Sequence, residues 1–364
     1  MSVTLSQIAE RMNVSSRAVS YALNGQPGVS DATRERIRKA AQEMGYRPSA
    51  AARSMRSSKT GHVGVLIRND DADRLTHLMA FETILGINQG LEDAGYVLSL
   101  VRIGDIRKGL VSDSRVFKEH LLDGLIVFCE MPDKLDRKVA KLIPNVIYAE
   151  SQTWQDEYCL RRDERHAGRL CAEHMIRLGY RDLVWVSHPG LALEANRPGY
   201  SGLDRERGVR DVAREAGVAV REFQCAYDGP ETFATTPDFL ASLTPNTAVI
   251  AGQAYQARWF QHAAASLGMN PPQDFGVCCC DDGYDVSNMW PGLSRVSFDR
   301  YGLGLVAADM MRSRLEHPSA DCPSRTIKGR WIPGNTAWGP AAGRIFSASL
   351  AAARVGGGSS DSDS

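Results

Sequence analysis

Between residues 62 and 280 the chain alternates short apolar runs with amphipathic stretches of helical length, and few folds accept that order. The first series reads as strand 62–67, helix 76–94, strand 97–101, helix 113–121, strand 124–128, helix 134–142 and strand 146–149. The second reads as helix 164–178, strand 182–187, helix 204–216, strand 218–224, helix 232–243, strand 247–251, helix 255–267 and strand 275–280. Strands that alternate with helices form parallel sheets covered on both faces. Two such series predict an α/β core of two doubly wound parallel-sheet lobes with a cleft between them.

The first sixty residues follow a different pattern. Thr4 with Gln7 three residues later forms a capping box that opens a helix to about Met12. Asn13-Val14 is the turn, and Ser15 or Ser16 caps a second helix to about Leu23. The run Asn24-Gly25-Gln26-Pro27-Gly28 breaks the chain, and Ser30 caps a third helix from Asp31 to Met44, ended by Gly45. Helix, tight turn and second capped helix is the arrangement that lays one helix in the DNA major groove, so an all-α helix-turn-helix domain is expected over 1–46. Residues 47–60 read as a basic, marginally helical linker, and the Gly/Ser/Asp-rich end as a flexible tail over 341–364.

Charge supports that division. The whole chain has 43 basic and 43 acidic residues, which alone argues against a polyanionic partner. Residues 1–60 hold ten Lys/Arg and four Asp/Glu, so the head is +6 and the remainder −6. A basic head on a mildly acidic body suits a chain whose head meets nucleic acid. No apolar run reaches the ~20 residues of a membrane span. The N-terminus has no basic segment before an apolar core, so a cytoplasmic, nucleoid-associated protein with reduced thiols is expected.

Three stretches resemble the head of LacI/GalR-type bacterial transcriptional regulators: 3–10 (VTLSQIAE), 14–25 (VSSRAVSYALNG) and 45–55 (GYRPSAAARSM). The likeness is dense over the first sixty residues and looser to about Thr336. The resemblance implies a DNA-binding head, a hinge helix and a core similar to periplasmic sugar-binding proteins. It further implies a homodimer on a pseudo-palindromic, double-stranded operator. Ser16, Arg17 and Tyr21 match positions that read base edges, with Tyr21 where relatives commonly have Arg. Thr4, Ser15, Ser20 and Asn24 match phosphate contacts, although helix capping explains the same hydroxyls. Met55 matches the apolar side chain inserted into the minor groove, usually Leu, with Ala52 and Arg53 beside it.

In the core, the resemblance implies an effector site at the carboxyl ends of strands. Asp281 and Arg205 match family effector contacts; Arg197 precedes Arg205 in the same loop, Glu150 ends the 146–149 strand and Gln253 the 247–251 strand. Lobe 1 is expected over about 61–161 and 291–325, and lobe 2 over 162–290 and 326–340, within a core spanning 61–340. Several family features are replaced. His77-Leu78-Met79-Ala80 stands where relatives carry Asn-Pro-Phe-Phe, Gln253-Ala254 replaces Asn-Asp, and Cys279-Cys280 precedes Asp281 in place of Gly-Phe. A sugar or other polyol, a nucleotide-like molecule, an acid or no effector at all all stay open.

Rival chemistry is weakly signalled. Gly302-Leu-Gly304 imitates a dinucleotide fingerprint but lacks the acidic residue on a following strand, and no metalloprotease, Walker or nucleophile-elbow motif occurs. No enzyme, cofactor or metal is expected. Cys278-Cys279-Cys280 raises a redox-responsive or ligand-independent regulator of the same fold as the alternative. Neighbouring side chains on a strand point to opposite faces, so three consecutive thiols do not converge on one ion and read as small apolar residues.

Overall fold

The computed structural model describes residues 3–46, 59–68, 74–103, 115–128, 133–187, 192–194, 197–198, 200–224, 237–283 and 290–340. It divides into two units, 1–61 and 62–364.

The first unit is three helices, α1 (Leu5–Met12), α2 (Ser16–Leu23) and α3 (Asp31–Glu43). Each begins where a side-chain oxygen takes an otherwise orphaned amide: Thr4 accepts from Gln7 N, Ser15 from Ala18 N and Ser30 from Thr33 N. Gln7 completes the box by accepting the Thr4 N–H at 2.8 Å. Asn13 ends α1 in a left-handed conformation, φ +53°, and Gly45 ends α3 at φ +69°. Ile8, Ala9, Val19, Ala22, Ile37 and Ala41 form the buried core of this small domain.

The second unit holds two six-stranded sheets. In chain order it runs β1 (His62–Arg68), α4 (Arg74–Asp93), β2 (Val97–Ile103), α5 (Arg115–Lys118), β3 (Gly124–Val127), α6 (Asp133–Leu142), β4 (Val146–Ala149) and β5 (Cys159–Arg162). Next come α7 (Glu164–Arg177), β6 (Asp182–Ser187), β7 (Ala192–Glu194), β8 (Arg197–Pro198), α8 (Tyr200–Glu215), β9 (Ala219–Gln224), β10 (Thr247–Ala251) and α9 (Ala254–Ser266). The chain closes with β11 (Gly276–Cys279), β12 (Ser294–Ser297), α10 (Arg300–Glu316), β13 (Arg325–Ile327) and β14 (Arg330–Ile332). The first sheet has order β13-β5-β4-β3-β1-β2 and the second β14-β12-β11-β10-β6-β9. All pairings are parallel except β12 with β14 and the small β7–β8 hairpin. The short central strands β3, β4 and β10 are buried throughout, as helices on both faces require.

The chain passes between the lobes three times: from β5 to α7, from β12 to α10, and from β13 to β14. The second passage falls after Ser297, later than the expected residue 291, because β12 pairs with β11 and β14 of the second sheet. The expected helix 232–243 lies partly outside the described residues.

The two lobes share one packing device. In lobe 1, α4 crosses α10 so closely that a methyl group on Gly86 would collide with the Tyr301 carbonyl, and one on Gly304 with that of Thr83. In lobe 2, Gly168 of α7 faces the Arg205 carbonyl and Gly208 of α8 faces that of Arg165 in the same way. Each glycine lies three residues beyond the residue whose carbonyl meets the opposite glycine. Gly304 is thus accounted for by helix contact. The Gly302-Leu-Gly304 run opens α10 under an N-cap from Asp299, whose side chain accepts Gly302 N.

Candidate functional site

The second helix of the head presents one polar face. Ser16, Arg17 and Asn24 are exposed, and Ser20 and Tyr21 are half-buried. Arg17 and Tyr21 sit one turn apart and bond to each other, Nη2 to the phenolic oxygen at 2.7 Å and Nε at 2.9 Å. The guanidinium also lies over the ring, 5.2 Å from its centroid. Asn24 donates to the Ser20 carbonyl at 2.8 Å and closes the helix. Arg34 of α3 donates to the Gln26 carbonyl at 3.0 Å and pins the loop that follows α2. The Thr4 and Ser15 oxygens serve as caps, each taking one amide of the first turn of its helix. Ala52, Arg53 and Met55 lie outside the described residues.

In the core, the carboxyl ends of the strands meet at the passages between lobes, and a largely buried ionic cluster lies at that junction. Arg205, at the start of α8, is fully buried. Its Nε donates to Glu164 Oε2 at 2.7 Å, and its Nη2 donates to Glu164 Oε1 at 2.9 Å and Asp281 Oδ2 at 3.1 Å. Its Nη1 bonds the Gly252 carbonyl at the end of β10, at 2.5 Å. Arg162 ends β5 and bonds Glu150 Oε2 at 2.5 Å, Glu164 Oε1 at 3.0 Å and Asp281 Oδ1 at 3.3 Å. Arg300, the first residue of α10, bonds Asp281 Oδ1 and, at 2.5 Å, Asp282 Oδ1.

Burial works against every charge here, so each must be compensated. For Asp281 burial opposes ionisation, but Arg300, Arg205 and Arg162 outweigh it and hold the carboxyl well below its usual range. For Arg205 burial disfavours the cation, and Glu164 with Asp281 reverses the effect and raises its pKa. Beside the cluster, the Arg161 guanidinium lies between two rings, 4.9 Å from Trp154 and 4.4 Å from Tyr200. The Tyr200 hydroxyl is buried and, among the described residues, has no hydrogen-bond partner.

The structure therefore brings together Glu150, Arg205 and Asp281. Gln253 is one residue from the carbonyl that Arg205 grips and stands as N-cap of α9. Arg197 lies on β8, its side chain outside the described set. Sequence reasoning missed Arg162, Glu164, Asp282 and Arg300. The signal for two of them was the run Arg161-Arg162-Asp163-Glu164, where β5 turns directly into α7.

The cysteines are structural neighbours more than a site. Cys278 and Cys280 face one side of β11 with Cys171 of α7, while Cys279 packs into the core on the other side. All four are fully buried, and burial pushes each thiol up, away from the reactive thiolate. Among the described residues no group of His, Cys, Asp or Glu has the geometry to hold a metal ion. Among them, too, no helix is long and apolar enough to cross a membrane.

A helix-turn-helix head with a polar, capped second helix, followed by two doubly wound lobes, defines a sequence-specific DNA-binding transcriptional regulator. Comparison with known proteins agrees. Residues 4–49 match the family model described as "Bacterial regulatory proteins, lacI family", and residues 172–337 that of a "Periplasmic binding protein-like domain". The chain belongs to the LacI/GalR family of bacterial regulators. The HTH-type transcriptional repressor PurR of Erwinia tasmaniensis is 28% identical over 319 residues, 86% of this chain and 90% of the relative. That of Pectobacterium carotovorum subsp. carotovorum is 28% identical over 326 residues, 87% and 92%. The fold matches that of the lac repressor dimer bound to operator and the anti-inducer ONPF, with TM-score 0.73 and 18% identity over 93% of this chain and 99% of that one. It also matches the regulator CelR in complex with cellobiose, TM-score 0.63, 19% identity, 92% and 99%. These relatives are regulators, not enzymes.

Proposed function

We propose that the chain represses transcription as a homodimer on a pseudo-palindromic operator, and that a small polar molecule at the lobe junction modulates its hold on DNA. It works where the chromosome is, in the cytoplasm. The observation that carries this reading is the pairing of an exposed reading face on α2 with a buried polar cluster at the carboxyl ends of four strands. Ser16, Arg17 and Tyr21 read base edges, while Thr4, Ser15, Ser20 and Asn24 hold phosphates. Ala52, Arg53 and Met55 enter the minor groove at the operator centre. Glu150, Arg197, Arg205, Gln253 and Asp281 face the effector. A ligand that prefers one lobe arrangement shifts the population of the DNA-binding state.

Self-association is supported by an asymmetry between the two glycine crossings. The α7–α8 crossing of lobe 2 is covered by ion pairs, Arg165 with Asp211 and Arg169 with Glu215. The α4–α10 crossing of lobe 1 instead exposes Phe81, Leu85, Tyr301 and Leu305. Tyr301 and Leu305 stand where lobe 2 has Arg165 and Arg169, counted from the N-caps Asp299 and Asp163. An apolar face of this kind suits an isologous contact with a second copy.

The test selects operator sequences from a random duplex pool and titrates the bound species by fluorescence anisotropy. A palindromic consensus bound by two chains is expected, and Met55→Ala weakens it by at least ~10-fold through loss of the wedge. Failure to enrich any sequence overturns the reading. Effectors are sought by screening sugars, sugar acids and nucleosides for a rise in Tm.

A further inference from the structure

Two of the three passages between lobes end on the same local design. An aspartate caps the helix, Asp163 for α7 and Asp299 for α10. The next residue is charged and buried, Glu164 in one and Arg300 in the other. Five residues past each cap stands the glycine of the helix crossing, Gly168 or Gly304. The two buried charges therefore occupy equivalent places with opposite sign. Glu164 holds Arg205 of its own lobe and also takes Arg162 from the end of β5 in lobe 1, at 3.0 Å. Arg300 belongs to α10, which packs against α4 in lobe 1, yet its partners Asp281 and Asp282 follow β11 of lobe 2.

Asp281 is divided between the lobes by its two oxygens. Oδ2 accepts from Arg205 of its own lobe at 3.1 Å. Oδ1 accepts from Arg300 and, at 3.3 Å, from Arg162, which ends β5 of lobe 1. The Asp282 amide donates to the same oxygen at 2.9 Å and fixes the carboxylate plane. We propose that Arg300 is an inter-lobe latch: clasped by Asp281 and Asp282, it positions the Asp281 carboxylate and ties lobe 1 to lobe 2 beside two of the three passages. Any molecule that takes Asp281 Oδ1 must displace a guanidinium from the opposite lobe, so occupancy and lobe arrangement change together. That link to a ligand rests on the proposed effector site. The tie between lobes does not.

The experiment reads the tie alone, by hydrogen–deuterium exchange of the full chain without ligand or DNA. Three variants are compared with the parent: Arg300→Met, Arg300→Lys and Asp282→Asn. The reporting amides are Leu303, bonded to the Asp299 carbonyl at 2.9 Å, and Asp163, bonded across the passages to the Ile327 carbonyl at 2.8 Å. In Arg300→Met both are expected to exchange about tenfold faster, with the amides of β10 unchanged. Arg300→Lys retains the charge and should recover most of the protection, which restored bulk alone would not do. Asp282→Asn, with one partner weakened, should fall between. Unchanged exchange at the passages in folded Arg300→Met, or equal exchange in the Lys and Met variants, overturns the latch. If Arg300→Met does not fold, Asp282→Asn decides, and parental exchange there overturns it.

Discussion

Arg17 and Tyr21 hold each other on the exposed face of α2, with the guanidinium bonded to the phenol at 2.7 Å and resting over its ring. A flexible arginine on a helix surface loses conformational freedom when it reads a base. In the base-reading role proposed for Arg17, the tyrosine one turn later would hold it beforehand. Arg17→Ala should remove discrimination at one base pair, by ~1–3 kcal/mol. Tyr21→Phe keeps the ring and deletes the hydroxyl, so it should weaken binding less while broadening preference at the same position. Anisotropy titrations on single-base operator variants separate the two. Equal affinity for all variants in the parent would remove Arg17 from base reading.

Arg205 is held by Glu164 in a bidentate pair, both side chains buried. Deleting one partner of such a pair strands a charge in a buried site. Glu164→Ala is expected to destabilise the core by roughly 3–5 kcal/mol, well above the cost of an exposed pair such as Arg312 with Glu316. Urea unfolding of Glu164→Ala and Glu316→Ala gives the comparison.

The Asp281 carboxyl, opposed by burial but held down by Arg300, Arg205 and Arg162, has a folded pKa below its unfolded one. The charged form therefore stabilises the fold fully above the unfolded value of about 3.9 and loses that contribution as pH falls toward the depressed folded value. The stability gap between the parent and Asp281→Asn should be constant from near neutral pH down to about 5 and shrink on further acidification. A gap that widens with acid would reverse the sign and discard the ion-pair account.

Gly208 meets the Arg165 carbonyl so closely that a side chain cannot enter unless α7 and α8 separate. Gly208→Ala should cost ~1–3 kcal/mol through this overpacking. Gly202 lies in the same helix with open space around it, and Gly202→Ala should be neutral or stabilising by up to about 1 kcal/mol from helix propensity. Thermal melts of the pair report the difference.

Leu305 is partly exposed on α10 beside Tyr301, on a face that lobe 2 covers with charge. Leu305→Glu should shift sedimentation from dimer toward monomer without lowering the unfolding temperature of the isolated chain. The matched change Arg169→Glu in lobe 2 should leave the sedimentation coefficient alone.

Local signals carried the head. Capping by Thr4, Ser15 and Ser30 and the left-handed Gly45 are decided by residues within one turn, and each stands where the sequence reading put it. The long alternation of apolar runs and amphipathic helices was equally readable, because each strand of a parallel sheet must bury both faces. The short strands β5, β12, β13 and β14 were not anticipated. They have three or four residues, and each carries an exposed or half-exposed arginine, so nothing local distinguishes them from loop. Their partners are remote in the chain: β13 pairs with β5 across more than 160 positions.

The same division runs through the site. Asp281 stood out by its place after a strand, and Arg205 by its match to a family arginine near the start of a helix. The sequence could not show that they face one another. Arg162, Glu164 and Arg300 come together only because the chain crosses between the lobes at their positions, and the crossings exist only once both sheets are built. What the sequence determined by itself was therefore periodic and local: a basic, capped three-helix reader and two α/β lobes. What tertiary structure decided was the pairing of charges. Burial makes an uncompensated charge prohibitive, and compensation depends on neighbours that folding, not chain order, supplies.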